Sequence, residues 1–184
     1  WLEVLPPHSR SIAIVAGGAS LKWAWTQMLT HECEVMALNN SYGFLLERGI
    51  TPDYFVMLDA RPENIDFLHN PQKNTKHYLA AQCHPSIFDT LADYDTTLYL
   101  TTLPRTEEVT KHMPPEKRVR IGGTVGTVGI KAIGLALALG YRKLYLYGYD
   151  SSYENGEHHA YEQQLNDNCS VIEVFLDGKS YITT

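Results

Sequence analysis

The sequence predicts an α/β protein with a Rossmann-like, doubly wound, mostly parallel sheet, helices on both faces and a C-terminal β-hairpin. Short apolar runs alternate with segments of helical pattern along most of the chain, which is typical of βαβ units. Because crossovers between parallel strands are right-handed, such units cover both faces of the sheet. Two further strand-like runs near the end are separated only by Asp177-Gly178, a dipeptide typical of a two-residue hairpin turn.

The first five predicted strands are short apolar runs, and each is followed by a helical or polar segment. The runs cover residues 11–16, 34–39, 53–59, 77–82 and 96–102. A glycine turn and an amphipathic stretch through Leu29 follow the first run, and a short helix that ends at Gly49 follows the second. A polar segment from Pro62 follows the third run. A helix can begin near Pro85 after the fourth, since proline suits the first helical turn.

A glycine-rich segment, "IGGTVGTVGIKAIGLALALGY" at 121–141, contains the last predicted crossover helix. Glycine inside a helix costs about 1 kcal/mol relative to alanine, so the repeated glycines need a reason. Small residues recur at steps of three and four, including Gly126, Gly129 and Ala136, and would let one helix face approach the sheet closely. The remaining predicted strands cover 143–150, 171–177 and 179–184.

Composition and charge narrow the class of protein. With 44% hydrophobic and 20% charged residues, the 184-residue chain is expected to form one domain over residues 1–184. A formal charge of −6 argues against nucleic-acid binding, which needs basic surfaces. Apolar runs are too short to span a bilayer, and three cysteines without CxxC spacing favour a reducing, cytoplasmic location. Because the sequence opens at Trp1, we expect it to be part of a longer protein.

Candidate ligand-binding residues lie where predicted strands end, because open α/β sheets bind ligands at that edge. Glycines there leave N–H groups free near a helix N-terminus, which can bind a phosphate. Neither a G-x-G-x-x-G fingerprint nor a Walker motif is present, which disfavours a dinucleotide or P-loop site. A tight turn capped by Ser20 is the alternative interpretation of the first glycine pair. The candidate nucleotide-binding residues are Gly17, Gly18, Ser20, Asn39, Asn40, Gly122, Gly123 and Thr124.

Two aspartates, Asp59 and Asp150, end predicted strands that we expect to be neighbours in the sheet. Together they could hold Mg²⁺, which binds through one or two carboxylates plus substrate phosphates. Alternatively, each could cap a helix or pair with a cation such as Arg61. Asp150 is also a candidate catalytic residue, with His158 and His159, since histidine can act as a general base near neutral pH. A solvated surface loop is the alternative for the two histidines.

Several segments, taken in order, resemble the MptE-like family. They are "GGASL" at 17–21, "LNN" at 38–40, "GITPDYFVMLDARPEN" at 49–64, the glycine-rich segment with its following strand at 122–153, and "HHAY" at 158–161. The family is named for the archaeal 6-hydroxymethylpterin diphosphokinase and includes a region of bacterial motility accessory factors, thought to act in flagellin glycosylation. It is distantly similar to sialyltransferases that use CMP-sialic acid. The resemblance implies a Rossmann-like fold and a nucleotide-phosphate ligand.

The resemblance implies two activities, and the residues leave a third interpretation open. As a diphosphokinase, which we rank first, the chain would use ATP and Mg²⁺ to pass a diphosphate to a pterin, with Gly17, Gly18 and Ser20 on the phosphates. As a glycosyltransferase-related domain, it would bind a CMP-activated sugar and a sugar or glycan acceptor, with His158 or His159 near the acceptor. As a non-catalytic module, it would bind a nucleotide without transferring a group.

Overall fold

Among the described residues, seven parallel strands form one sheet, which confirms the predicted Rossmann-like α/β fold. The structure is a computed structural model, and it describes residues 1–68, 70–101, 108, 110–122, 127–150, 152, 157–162 and 172–183. The strands are β1 (Ser11–Val15), β2 (Glu34–Leu38), β3 (Tyr54–Met57), β4 (Lys76–Ala80), β5 (Thr96–Thr101), β6 (Arg120–Ile121) and β7 (Lys143–Tyr147). Between them lie α1 (Leu21–Met28), α2 (Ser41–Leu46), α3 (Pro85–Thr90), α4 (Val128–Ala138) and two 3-10 helices, Pro62–Leu68 and Pro115–Lys117.

The strand order places the reversal of the chain between β1 and β7. Neighbouring strands follow the order β6-β5-β4-β3-β2-β1-β7, and their pairings are parallel. The chain therefore adds strands outward from β1 to β6 and then crosses back to place β7 beside β1. The connections from β1 to β3 run toward one edge of the sheet, and the connection from β6 to β7 runs toward the other edge. Because all of these crossovers are right-handed, α1 and α2 lie on one face of the sheet and α4 lies on the other. Ligands of open α/β sheets bind in the crevice at such a reversal.

Helices cover both faces of the sheet, so its central strands are buried on both sides. These strands therefore consist of nearly continuous hydrophobic residues. Burial of one such side chain stabilises the fold by roughly 1.5–3 kcal/mol. The largest fully buried side chains of the strands include Ile12, Ile14, Met36, Phe55, Met57, Leu79 and Tyr99.

Helix α4 crosses its face of the sheet and explains part of the glycine-rich segment. A Cβ at Gly129 would lie 2.9 Å from the Tyr149 ring, whose hydroxyl donates a hydrogen bond of 3.0 Å to the Gly129 carbonyl. A Cβ at Gly134 would lie 2.9 Å from the Ile121 side chain. These glycines therefore permit close packing of the helix, as the spacing predicts. Gly126 lies outside the described residues.

The predicted hairpin is confirmed as an antiparallel pair of β8 (Ile172–Leu176) and β9 (Lys179–Thr183). Its turn residues both have positive φ, 50° at Asp177 and 75° at Gly178, which is the backbone twist that a two-residue hairpin needs. β7 ends earlier than predicted, at Tyr147, because Gly148 takes a φ of 67° and turns the chain. None of the described helices combines the length and apolar character that a membrane span requires.

Candidate functional site

The turn after β1 and the turn after β7 meet at the reversal point of the sheet. Gly18 donates its N–H to the Gly148 carbonyl at 2.8 Å, and a Cβ at Gly18 would lie 2.6 Å from that oxygen. A Cβ at Gly18 would also lie 2.5 Å from Oδ1 of Asp150. Only a residue without a side chain permits this approach. The glycine therefore brings the Asp150 carboxylate against the beginning of α1.

Asp150 holds the N-terminus of α1 from the far end of the sequence. Its Oδ2 accepts the Ser20 N–H at 3.2 Å and the Ser152 hydroxyl at 3.0 Å, and its Oδ1 accepts the Ser20 hydroxyl. Partial burial acts to raise the pKa of Asp150, but the hydrogen bonds from Ser20 and Ser152 outweigh it and lower the pKa below the ordinary value. The alternative in which Ser20 caps its own helix is wrong, because its side chain makes no capping bond. The helix carries a carboxylate where a bound anion would lie.

The loop that carries the two candidate histidines folds back onto the same turn. Ala160 donates its N–H to the Gly17 carbonyl at 3.0 Å, and His159 forms an antiparallel bridge with Gly18. A Cβ at Gly17 would lie 2.2 Å from the Tyr161 hydroxyl. The rings of His158 and His159 lie 4.3 Å apart, centroid to centroid. The histidines, the glycine pair, Ser20 and Asp150 therefore form one group, which we name the reversal-point cluster.

A second group of candidates lies in a cavity of about 450 Å³ at the carboxyl ends of β2, β3 and β4, where α4 begins. We name it the strand-end cavity. The first N–H groups of a helix have no partner within the helix. Thr127 precedes α4, and no described side chain caps the first N–H groups of this helix. The positive end of the helix dipole therefore faces the cavity. The cavity is lined by Asn39, Leu58, Asp59, Ala60, Gln82, Thr127 and Val128.

Asn39 has an unusual backbone conformation at this cavity. Its φ is 50°, in the left-handed region that residues other than glycine adopt at a cost of roughly 1–3 kcal/mol. Its N–H donates to the Val56 carbonyl at 3.2 Å, which continues the pairing of β2 with β3. The buried side-chain oxygen Oδ1 has no hydrogen-bond partner among the described residues. Such an acceptor suits a ligand that brings an O–H or N–H group.

Asp59 is paired within its own turn. Arg61 donates to its carboxylate through the backbone N–H at 3.0 Å and through Nε at 2.8 Å. Partial burial acts to raise the pKa of Asp59, and the bonds from Arg61 outweigh it and lower the pKa below the ordinary value. Asn64, fully buried on the following 3-10 helix, reaches the Asp59 carbonyl at 3.5 Å. The pairing that the sequence left as an alternative is therefore present.

The two aspartates do not fit a shared Mg²⁺. The prediction that they end neighbouring strands is wrong, since β2 and β1 lie between β3 and β7. Three strand spacings, about 14 Å, separate β3 from β7, so the strands that precede the two carboxylates do not bring them to one ion. Each carboxylate is also hydrogen-bonded within the protein, Asp59 to Arg61 and Asp150 to Ser20. In the described part of the chain, no group of three or more His, Cys, Asp or Glu side chains is placed to hold a metal.

The remaining candidates lie apart from these two groups. Gly122 follows the edge strand β6, five strand spacings or roughly 24 Å from β1, and its carbonyl accepts the Lys131 ammonium at 2.9 Å. Asn40 lies on the other side of the β2–α2 turn from the strand-end cavity and lines a different cavity. Gly123 and Thr124 lie outside the described residues.

Sequence reasoning missed Gln82, Thr127 and Tyr161. Gln82 ends the apolar run of β4, so the rule that selected Asn39 at a strand end could have selected it. Thr127 required the true start of α4, which the glycines before it obscure. Tyr161 carries no local pattern that predicts its contact with Gly17, because that contact exists only when the loop folds back.

The family model described as 6-hydroxymethylpterin diphosphokinase MptE-like matches residues 3–156. The chain is similar to the solved structure of MAf glycosyltransferase from Magnetospirillum magneticum AMB-1, with a TM-score of 0.64 and 20% sequence identity. That similarity covers 100% of this chain and 29% of the other, so this chain spans under a third of that protein's length, and at this identity it shows the fold alone. No curated protein sequence matches this chain. Because the matched family model extends over most of the sequence, the chain belongs to the MptE-like family.

Proposed function

We propose that this chain is the nucleotide-binding part of a transferase, and that the phosphates of the donor bind in the strand-end cavity against the N-terminus of α4. The observation that carries the proposal is the pairing of two complementary features in one cavity. Helix α4, which no described side chain caps, offers N–H donors, and Asn39 offers a buried oxygen without a described partner. A nucleotide presents the matching groups, phosphate oxygens for the helix and ribose or base donors for the amide.

Backbone donors suit this chain because its formal charge of −6 opposes an anionic ligand. A helix N-terminus attracts a phosphate without a basic side chain, through aligned peptide dipoles worth about half an elementary charge. The corresponding position at α1 is occupied by the Asp150 carboxylate, which binds Ser20. We therefore place the phosphates at α4 rather than at the Gly17-Gly18 turn, where the family resemblance implies them.

Diphosphoryl transfer from ATP is the first candidate reaction, since the matched family description names a 6-hydroxymethylpterin diphosphokinase. In that reaction an acceptor hydroxyl oxygen forms a bond to Pβ, the bond from Pβ to the oxygen shared with Pα breaks, and AMP leaves. The hydroxyl proton passes to a base. We assign that role to His159, because it lies at the turn after β1, one strand from β2 at the strand-end cavity. Asp59 and Asp150 have no metal-binding role in this proposal, because they do not fit a shared Mg²⁺.

One observation favours a second candidate, transfer from a CMP-activated sugar. Both aspartates are hydrogen-bonded within the protein, and transfer from such a donor can proceed without a metal. The chain also shares the fold of MAf glycosyltransferase. In this reaction the acceptor hydroxyl oxygen forms a bond to the anomeric carbon and its proton passes to a base, while CMP leaves with the electron pair of the broken C–O bond.

Calorimetry with ATP, CMP and inorganic pyrophosphate tests the proposal. Asn39→Gly removes the amide while keeping a residue that tolerates φ of 50°, and it should weaken ATP binding about fivefold, the worth of one hydrogen bond. Asp177→Gly, at the other non-glycine residue with positive φ among those described, is the matched control and should leave binding unchanged. Absence of binding to all three compounds would contradict the proposal. Nucleotide binding without turnover of a pterin or sugar acceptor would indicate the non-catalytic module.

A further inference from the structure

The phosphate site proposed at α4 is short of positive charge. A helix N-terminus supplies about half an elementary charge, whereas each phosphate group of a ligand carries a full negative charge or more. The chain itself has a formal charge of −6, which further opposes an anionic ligand. No lysine or arginine is among the described residues that line the strand-end cavity. One lining residue, Asp59, nevertheless holds an arginine side chain at this place.

The contacts of Arg61 with Asp59 fix one side of its guanidinium group. Nε donates to Oδ2 of Asp59 at 2.8 Å, and Nη2 lies 2.6 Å from the same oxygen. The Arg61 backbone N–H donates to the other carboxylate oxygen, Oδ1, at 3.0 Å, so the carboxylate is itself held in place. The guanidinium has two further N–H groups on Nη1. Among the described residues none accepts a hydrogen bond from Nη1, and the Arg61 side chain is 49% exposed.

The pair of Asp59 and Arg61 suits recognition of an anion better than support of the fold. Ion pairs between exposed side chains contribute little to stability. This pair also joins residues only two positions apart, so it ties no distant segments together. Arginine is the side chain best shaped for phosphate, because its planar group presents several donors at once. A guanidinium that is already oriented loses less freedom when it binds such a ligand.

We propose that Arg61 binds a phosphate of the ligand in the strand-end cavity, and that Asp59 is the positioning residue that holds its guanidinium for this contact. The Nη1 groups donate to phosphate oxygens, while Nε and Nη2 stay on the Asp59 carboxylate. Arg61 then supplies a cation to the phosphate site at α4, so this role deepens the proposed function and rests on it. Asp59 serves the same site without binding a metal.

Replacement of Asp59 by asparagine distinguishes a positioning role from mere proximity, because the two predict changes of opposite sign. Asparagine keeps one oxygen for the Arg61 backbone N–H and presents an amide NH₂ group to the guanidinium, which releases Arg61. Phosphate binding should then weaken about threefold or more. If Asp59 did not act through Arg61, the loss of a negative charge beside the cavity would strengthen binding of an anion.

The experiment is calorimetry of the intact chain with inorganic pyrophosphate and with ATP, in EDTA so that no change of affinity reflects a metal ion. Arg61→Gln should weaken binding about tenfold or more, because hydrogen bonds to charged groups are the stronger ones. Arg61→Lys should recover only part of this loss, since it keeps the charge without the planar group. In the Arg61→Gln background, Asp59→Asn should no longer weaken binding, because the residue through which it acts is gone.

Two variants with the same changes of charge serve as controls. Arg10 forms an exposed ion pair of 2.8 Å with Glu34 where β1 and β2 begin, at the opposite ends of the strands from the strand-end cavity. Asp66 is exposed on the 3-10 helix Pro62–Leu68 and does not line this cavity. Arg10→Gln and Asp66→Asn should therefore leave the affinity for both ligands unchanged.

The outcomes separate this role from the proposed function. Weaker binding in both Arg61→Gln and Asp59→Asn, with none in the controls, supports it. Unchanged affinity in Arg61→Gln, or unchanged or stronger binding in Asp59→Asn, overturns it alone, because the wild type still binds the ligand. A loss in Asp59→Asn that persists in the Arg61→Gln background also overturns the positioning role. If the wild type binds neither pyrophosphate nor ATP, the role of Arg61 is overturned, and the proposed function falls with it if CMP does not bind either.

Discussion

Replacing Asp150 with alanine removes the acceptor that holds the first turn of α1. The change abolishes three contacts, from the Ser20 N–H, the Ser20 hydroxyl and the Ser152 hydroxyl. Loss of a helix-capping acceptor costs about 1 kcal/mol, and loss of the negative charge at a helix N-terminus costs roughly 0.3–1 kcal/mol more. Because the carboxylate is partly exposed, we expect Asp150→Ala to lower the free energy of unfolding by about 1.5 kcal/mol in total. Asp150→Asn keeps an acceptor and should lose about half as much.

Urea unfolding followed by circular dichroism measures both variants. With a slope of about 2 kcal/mol per molar urea, the alanine variant should unfold at a urea concentration lower by about 0.7 M, with the slope unchanged. Since the pKa of Asp150 is lowered by folding, its contribution is complete above its unfolded value of about 3.9 and is lost as pH falls through the folded pKa. Wild type and Asp150→Asn should therefore converge in stability at acid pH.

Asp66→Asn, an exposed aspartate on the 3-10 helix, is the control and should shift stability by less than about 0.5 kcal/mol. The reasoning is refuted if Asp150→Ala changes the free energy of unfolding no more than this control does. It is also refuted if the difference between wild type and Asp150→Asn persists unchanged to pH 2.

Three further predictions concern packing and titration. Gly17→Ala places a Cβ 2.2 Å from the Tyr161 hydroxyl and should destabilise by roughly 1–3 kcal/mol, and Tyr161→Phe in the same chain should recover part of the loss in thermal unfolding. In Gly140→Ala the new Cβ lies 2.4 Å from a backbone oxygen at a φ of 92°, so the variant should have a lower melting temperature. In Gly122→Ala the new Cβ meets no described atom within 4 Å, so this variant is the control and should keep the melting temperature of the wild type. Burial lowers the pKa of His77. Below about pH 6.5 the unfolded chain therefore binds a proton at this residue more readily than the folded chain does, and the free energy of unfolding should fall as the pH drops. The prediction is wrong if His77→Phe shows the same dependence of the free energy of unfolding on pH.

The two groups of candidate residues serve different purposes in this arrangement. In the reversal-point cluster, donors that would suit a ligand are bonded within the protein, Ser20 to Asp150 and Gly18 to Gly148. In the strand-end cavity, the first N–H groups of α4 and the Asn39 oxygen lack described partners. A polar group without a partner costs free energy, and a ligand that supplies one recovers it. This difference is the reason that we propose the strand-end cavity, and not the reversal-point cluster, for the phosphates of a ligand.

The sequence by itself determined the features that depend on local pattern. Alternating apolar runs predict the strands, because a strand buried on both faces needs continuous hydrophobic residues. Asp177-Gly178 predicts the hairpin, because few other pairs of residues accept a positive φ at both positions. Gly49 predicts the turn that follows α2, because glycine accepts the positive φ, here 74°, that such a turn needs. The glycines of α4 likewise indicate close packing, which Gly129 shows against Tyr149.

Only the tertiary structure decided which strand ends are neighbours and which donors are already bonded. Asp59 and Asp150 look equivalent in sequence, yet two strands lie between them, since strand order follows from the path of the whole chain and not from any local run. The bond between Asp150 and Ser20 joins residues 130 positions apart, and the contact of Tyr161 with Gly17 depends on a loop that folds back. Hydrogen bonds of this kind have no sequence period, because they depend on the distance between two atoms after the sheet has formed. They determine whether a polar side chain is free to bind a ligand.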